Sequence, residues 1–386
     1  MFDLERAPNE LSRLFQQLQE WTIQDISRRI TKAGQYTSTA EYMLAQGSEF
    51  RLFDENLQEQ IQITLRLAEE ETRKLNEKTL NSRSLFDKRV FAAHGMLYTP
   101  AEQNFLLHRM IDNFYRQTNG TFVNLTRSMG FAVQTPVGVR FKPIAQFYQQ
   151  ELDLALTKVY SGLDTLPNAV KTATNTMANS GLRAVDYATG HGNRIDVAAR
   201  RAVLSGLRDV TNTQSEYNAG VLGTTVYEIS WHGGHRPSHG WGGMRYDTTG
   251  RYYPTPDELF AQNGGGTPDD YNCYHILYAT FADVPPNYSS KQLVEMEEKE
   301  NALRNFEGVS YTAYEARQQQ RKFERAMRTQ RSKIAGLKGG NQQDYEIKEA
   351  ITAAKSKYRQ QRSKYKEFNA AVGLRSEYDR VYTGAV

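Results

Sequence analysis

The chain has one cysteine, eleven prolines and three tryptophans in 386 residues. A single thiol, Cys273, excludes an intrachain disulfide framework, so oxidative stapling does not hold this fold. The longest apolar runs, such as "HILYATFA", fall far short of the roughly eighteen residues that a membrane-spanning helix needs. The opening "MFDLERAPNE" has no basic segment followed by an apolar core, and no secretory signal is visible. The expectation is a soluble protein made in a cytoplasm. There is no phosphate-binding loop, dinucleotide fingerprint or HExxH pair, and Ser238 lacks the context of a nucleophile elbow. These absences remove the most easily read enzyme classes.

Scarce proline combined with abundant Gln, Glu, Lys, Arg and Ala favours long helices. The mean hydropathy of -0.68 is polar, which fits solvated helices and surfaces completed by partners. The net charge of +4 is unevenly spread. Residues 321–386 hold sixteen Lys and Arg against seven Asp and Glu, whereas the rest of the chain is net acidic. A basic C-terminal arm on a mildly acidic body points to contact with nucleic acid or an acidic protein surface, or else to a solvated helix face.

The first 180 residues read as successive helices. In "NELSRLFQQLQEWTIQDISRRI", Leu11, Leu14, Phe15, Leu18, Trp21, Ile26 and Ile30 fall near one stripe. A second helix runs through "EQIQITLRLAEEETRKLNEK". A third is expected to start at Thr99, with Pro100 in its first turn and Glu102 completing a capping box. Further helices are expected over "PIAQFYQQELDLALTKVYSGL", "LPNAVKTATNTMANSGL" and residues 193–220.

From 221 to 285 the composition shifts to Gly, Tyr, Trp and His. "TTVYEIS" alternates like a strand, "MRYDTTGRYY" reads as a hairpin turning at Asp247 to Gly250, and "CYHILYATF" reads as a buried strand. Between them Thr255 and Glu258 form a capping box, and "NGGGTPDD" reads as a loop. Box-like starts recur at Ser289 with Gln292 and at Thr312 with Glu315. Two long charged helices then follow, broken at "KGGNQ" and expected to fold back as an antiparallel pair. The fold class expected is α+β and predominantly α-helical: a helical domain over 1–180, a helix plus small α+β module over 181–285, and C-terminal charged helices over 286–386.

Four of the seven histidines and the only cysteine lie between residues 232 and 275. The densest stretch, "SWHGGHRPSHGW", carries His232, His235, Arg236, His239 and Trp241. His235 with His239, and Cys273 with His275, form two short pairs that could supply a tetrahedral zinc site, because Zn²⁺ accepts imidazole and thiolate together. The spacing is not that of a standard finger, and Pro237 and Gly240 oppose a regular helix turn between the first two. The alternative is a hydrogen-bonded His/Arg/Trp cluster that pins a loop to a small sheet. A Cys–His nucleophilic pair is weaker, since Cys273 adjoins an apolar strand. Arg200 and Arg201 are adjacent on a helix, where a salt bridge is the simplest role.

With these residues in view, the chain resembles the minor capsid proteins of tailed bacteriophages, in the Mu F-like head-morphogenesis group. Four ordered pieces carry the resemblance: "SGLRAVDYATGHGNRIDVAARRAVLSG", "HGGHRPSHGWGGMRY" (which includes Tyr246), "NCYHILY" and "FEGVSYTAYEARQQQRKFERAMR". It is sharpest from about 180 to 330. Gly242 and Tyr274 depart from the group's more usual Gln and Arg, while His232, Arg236, His239, Trp241, Cys273 and His275 are in place. The resemblance implies a structural protein of the virion head, inside the capsid at the portal vertex. Its implied partners are the portal protein and other capsid proteins, in multiple copies, and it would assist head assembly or DNA packaging and delivery. It implies a signature cluster of His232, Arg236, Trp241, Arg200 and Tyr246 and no cofactor, the zinc possibility apart. Residues 321–386 could touch packaged DNA. The competing reading is a metal-dependent hydrolase or injected effector using the His/Cys module.

Overall fold

The computed structural model describes residues 6–36, 39–185, 192–270, 273 and 275–381. Helix α1 (Asn9–Ala33) is the axis around which the chain is wound, packing against five other helices. Its apolar residues Leu11, Phe15, Leu18, Ile26 and Ile30 are buried, as the sequence stripe requires. Its polar side chains are buried too, because neighbours press on several faces, and such groups persist only when paired. Gln19 donates to Ser332 Oγ at 2.8 Å and accepts from the Leu182 backbone N–H at 2.9 Å. Arg29 donates to Asp25 at 2.6 Å.

Helix α2 (Thr39–Ala93) is one continuous element of 55 residues, about 80 Å at 1.5 Å per residue. The helix expected from "EQIQITLRLAEEETRKLNEK" is its central part. Helix α3 (Phe105–Arg127) does not start at Thr99. Residues Ala101–Gln103 form a 3-10 turn instead, and Asn104 caps α3 by accepting from the Leu107 N–H at 3.0 Å. Asparagine is among the strongest N-caps, so it displaces the expected box; the Glu102 side chain lies outside the described residues.

The N-terminal half is not wholly helical. Strands β1 (Met129–Thr135) and β2 (Gly138–Pro143) form a hairpin, with Gly138 at φ +110° in its turn. The run "GFAVQTPVGVRF" alternates around a Pro-Val-Gly turn, a period-2 signal that the flanking helical patterns overshadowed. Two short strands, β3 (Arg183–Val185) and β4 (Gly192–Arg194), complete a sheet of order β2-β1-β3-β4. Helices α4 (Ile144–Tyr160) and α5 (Leu166–Ser180) lie between β2 and β3 in sequence. Helix α6 (Ile195–Leu222) then leads to the central module and ends at Gly223 in the left-handed conformation.

The module's sheet has three antiparallel strands, β5 (Val226–Ile229), β6 (Arg245–Asp247) and β7 (Leu277–Thr280), in the order β6-β5-β7. The turn at Asp247 to Gly250 forms, with the Gly250 N–H on the Asp247 carbonyl at 3.0 Å. The expected hairpin does not, because β6 takes β5 as its strand partner. Asp247 accounts for this: its carboxylate accepts backbone N–H groups of Thr249, Arg251 and Tyr252, curling the following segment into a loop. These bonds, opposed by burial, hold its pKa down at about 2. Helix α7 (Pro256–Gln262) opens on the Thr255–Glu258 capping box.

Helix α8 (Ser290–Asn301) and helix α9 (Ala313–Lys338) open on the expected boxes at Ser289 and Thr312. A hairpin, β8 (Arg304–Phe306) with β9 (Val309–Tyr311), separates them. Helix α10 (Tyr345–Ala371) folds back on α9. This pair is not a separate arm. Gly336 of α9 sits where a Cβ would lie 2.6 Å from Thr174 of α5 and 2.7 Å from Ile23 of α1, so three helices meet at hydrogen-sized contact. One apolar cluster holds Leu11, Ile195, Ile276, Leu337 and Ile351 together, crossing the expected boundaries at 180 and 285. The segment around the C-terminal 3-10 turn packs at the start of α1: Arg6 pairs with Glu377 at 2.8 Å, and Asn9 donates to Asp379 at 2.6 Å. Among the described residues, no helix is long and apolar enough to cross a membrane.

Candidate functional site

The signature loop leaves β5 and re-enters the sheet at β6. Ser230 fastens its start to the approach of β7, donating its N–H to the Ile276 carbonyl and accepting the Ile276 N–H, both at 2.8 Å. Pro237–His239 is a 3-10 turn, so His235 and His239 do not share a helix turn. The turn docks on the loop after α7, through Gly240 N–H to the Asn263 carbonyl (3.2 Å) and Gly266 N–H to the Ser238 carbonyl (3.0 Å). Trp241 is fully buried, and its indole N–H donates to the Gly266 carbonyl at 2.7 Å. Its ring centroid lies 4.4 Å from that of His275 and 4.9 Å from that of His239. The loop is thus closed by hydrogen bonds and ring packing.

Of the four residues with metal-ligand chemistry, Cys273 Sγ and His275 Nδ1 are 3.3 Å apart. The His239 ring centroid is 5.6 Å from that of His275, and His239 Nε2 faces Asp270 and the Thr267 carbonyl, both at 3.3 Å. His235 turns to Glu297 at 3.2 Å through Nε2 and to the Arg236 carbonyl at 3.0 Å through Nδ1. His232 is closer, its ring centroid 4.2 Å from that of His275. Among the described residues, no group of three or more His, Cys, Asp and Glu side chains is arranged to hold a metal ion.

Burial dominates the acid–base chemistry here. It lowers His275 well below the usual imidazole value, and the neighbouring His232, His239 and His235 add to this. It also lowers His239, helped by Arg236 and opposed by Asp270. It pushes the Cys273 thiol up to about 11. A thiol held neutral is a poor nucleophile, so the Cys–His reading has little chemical support.

The exposed side of this cluster forms one wall of a cleft of about 340 Å³. The facing walls were not legible as a site in the sequence. Helix α6 contributes its first turn, Asp196 and Val197, with Arg200 and Arg201. Helix α9 contributes Arg317, Arg321, Arg325 and Arg328, and the C-terminal 3-10 turn contributes Arg380. Arg200 donates to Asn9 Oδ1 at 2.6 Å and Arg201 to Asn193 Oδ1 at 2.8 Å. Asp196 is fully buried, lies 3.6 Å from Arg328 and 3.8 Å from Arg194, and remains charged because these guanidiniums outweigh its burial. Glu324, also buried, accepts from Arg321 at 2.8 Å and pairs with Arg380 at 3.2 Å. The signal available in the sequence was the spacing of Arg317, Arg321, Arg325 and Arg328, which places all four on one helical face.

Tyr246 does not join this cleft. It stacks on its cross-strand partner Tyr227 at 5.2 Å, inside the module's own apolar cluster with Ile229, Trp241, Leu259 and Cys273. Beside it, Glu228 and Arg245 are also register partners and form a buried ion pair at 2.7 Å. The sequence reading missed this pair. Asn272 and Tyr274 of the "NCYHILY" motif, and residues 186–191 of the mid-chain motif, lie outside the described residues.

The helical body and the small sheet closed by its His/Arg/Trp loop agree with the α+β, predominantly helical fold expected from the sequence. Residues 3–370 match the model of the family described as phage minor capsid protein 2. The chain belongs to this family, which makes it a structural protein of the virion head. No curated protein and no solved structure matches it.

Proposed function

We propose that the protein is a portal-associated minor capsid protein that works inside the phage head, assisting head assembly or the packaging and delivery of DNA. The observation that carries this reading is the family match over residues 3–370. The fold supports it in two ways. The α2–α3 connection and the first turn of α3 expose apolar side chains, among them Leu97 at 94 %, Phe105 at 76 % and Leu106 at 60 % exposure. Large apolar side chains gathered on a surface are the usual material of a protein interface, and the portal is the partner to which we assign this end. Contact with packaged DNA would fall on α10, where Lys357, Arg359, Arg362, Lys364 and Lys366 are exposed, because Arg317, Arg321, Arg325 and Arg328 of α9 line the cleft instead.

The test is co-purification and cross-linking from assembled heads. Phe105→Asp with Leu106→Asp should abolish capture of portal protein while leaving the unfolding midpoint of the isolated protein unchanged. Absence of the protein from purified virions would end the proposal.

A further inference from the structure

The cleft between the signature loop and helices α6 and α9 has a composition that closing a loop does not require. Eight arginines line it: seven on α6, α9 and the C-terminal turn, and Arg236 on the opposite wall with four histidines and Cys273. The carboxylates against these walls among the described residues are fewer: Asp196, Glu324, Asp270, Glu297 and Glu300. Arg317, Arg321 and Arg325 recur at four-residue spacing on α9, a like-charge pattern that costs a helix about 0.2–0.5 kcal/mol per pair. The positive end of the α6 dipole opens into the same space through Asp196 and Val197. Three groups lining the cleft are buried and lack a hydrogen-bond partner among the described residues. One is Asp196 Oδ1, 3.8 Å from Arg194; the other two can donate, Arg328 Nε in a residue 9 % exposed and His275 Nε2 in one 1 % exposed. Buried polar groups are normally satisfied, so unpaired ones in a cleft wall point to something that binds there.

We propose that this cleft binds a compact phosphate ester, either a free nucleotide-sized molecule or the terminal phosphate of a DNA strand. Guanidinium forks match phosphate oxygens in pairs, and a charge excess of this size calls for a ligand with more than one negative charge. The volume of about 340 Å³ lies at the lower end of the range for small-molecule sites, which suits a mononucleotide, with pyrophosphate as a probe of its phosphate contacts, and excludes a duplex or a folded peptide. Arg325, exposed at the mouth, makes the entering contact, and Arg328 and Arg200 lie deeper. Arg325 is itself lowered by burial and then by Arg328, a repulsion that an anion would relieve.

The experiment is calorimetric titration of the full-length protein with pyrophosphate and with a deoxynucleoside monophosphate, at ionic strength held constant with acetate. Saturable binding should weaken about tenfold in Arg325→Gln, the loss expected for one charge-assisted contact. Arg325 is exposed, so this variant folds, and its unliganded unfolding midpoint verifies that. Lys357→Gln on α10 should bind as the parent does. A short oligonucleotide with a 5′-phosphate, compared with its 5′-hydroxyl form, separates the two sources. A preference for the phosphorylated form identifies a DNA end, and nucleotide binding without that preference identifies a free ester. No binding beyond the acetate control, equal binding by Arg325→Gln, or tighter binding of an oligoglutamate peptide than of pyrophosphate would overturn the proposal.

Discussion

The Glu228–Arg245 pair gives the sharpest test of what holds the central module together. Glu228 is 1 % exposed and accepts from Arg245 Nε at 2.9 Å and Nη2 at 2.7 Å, and from the Asn287 N–H at 3.1 Å. Arg245 also donates through Nη1 to the carbonyls of Phe281 and Val284, at 3.1 and 2.8 Å. The pair therefore ties β5 and β6 to the segment after β7. Replacing Glu228 by Leu strands a buried guanidinium, at a cost of about 3–5 kcal/mol. Replacing Arg245 by Met strands the carboxylate at a similar cost. The double variant removes both charges and should lose much less than the sum, a coupling of several kcal/mol of the kind seen between contacting charges. The assay is urea unfolding followed by tryptophan fluorescence in a Trp21→Phe background, so that only Trp231 and Trp241 report, both in the module. With m near 1–3 kcal/mol/M, each single change moves the midpoint by about a molar or more. Additive singles, or singles costing less than about 1 kcal/mol, would refute the claim that this ion pair is the module's main polar tie.

Other outcomes follow from the same structure. His275 and His239 have folded pKa values below the ordinary imidazole value, so the folded module binds fewer protons than the unfolded one. Its stability is full above about pH 6.5 and declines as the pH falls further; the unfolding midpoint at pH 5 should lie below that at pH 7.5, less so in His275→Gln, and a midpoint that rises on acidification contradicts this. Cys273 is buried with its thiol pushed up to about 11. A thiol reagent at pH 8 should modify it only slowly in the native protein and at once in urea, and rapid native modification would show that the site opens. Gly336→Val would drive a side chain into Thr174 and Ile23, costing about 1–3 kcal/mol or more by overpacking, read as a lowered Tm; an unchanged Tm would mean that α1, α5 and α9 can separate. Because His235 and His239 are engaged by Glu297, Asp270 and backbone carbonyls, a chelator should leave the urea midpoint unchanged, and a fall would restore the zinc reading.

Local rules were legible wherever a few neighbouring residues settle the structure. The boxes at Thr255, Ser289 and Thr312 form as read, because the two hydrogen bonds of each lie within one turn. Thr99 failed where Asn104, five residues on, is the better cap. The β1–β2 hairpin was missed because its alternation is short and lies between strong helical patterns. "MRYDTTGRYY" misled because β6 chose its partner by contacts with β5, twenty residues away in sequence. The histidine-rich loop was legible as a unit, yet its meaning was not: the arginines of α9 that face it are more than seventy residues further along.

The sequence by itself determined the helical character, the capping boxes at Thr255, Ser289 and Thr312, and the family, since each rests on composition, periodicity or ordered motifs within a short window. Tertiary structure alone decided that one apolar core joins Leu11 to Ile351, that Glu228 meets Arg245 across two strands, and that the arginine face of α9 lines the cleft. A helical pattern tells which residues share a face but not what that face meets. Here the difference separates a solvated basic surface from a cleft where seven arginines confront four histidines.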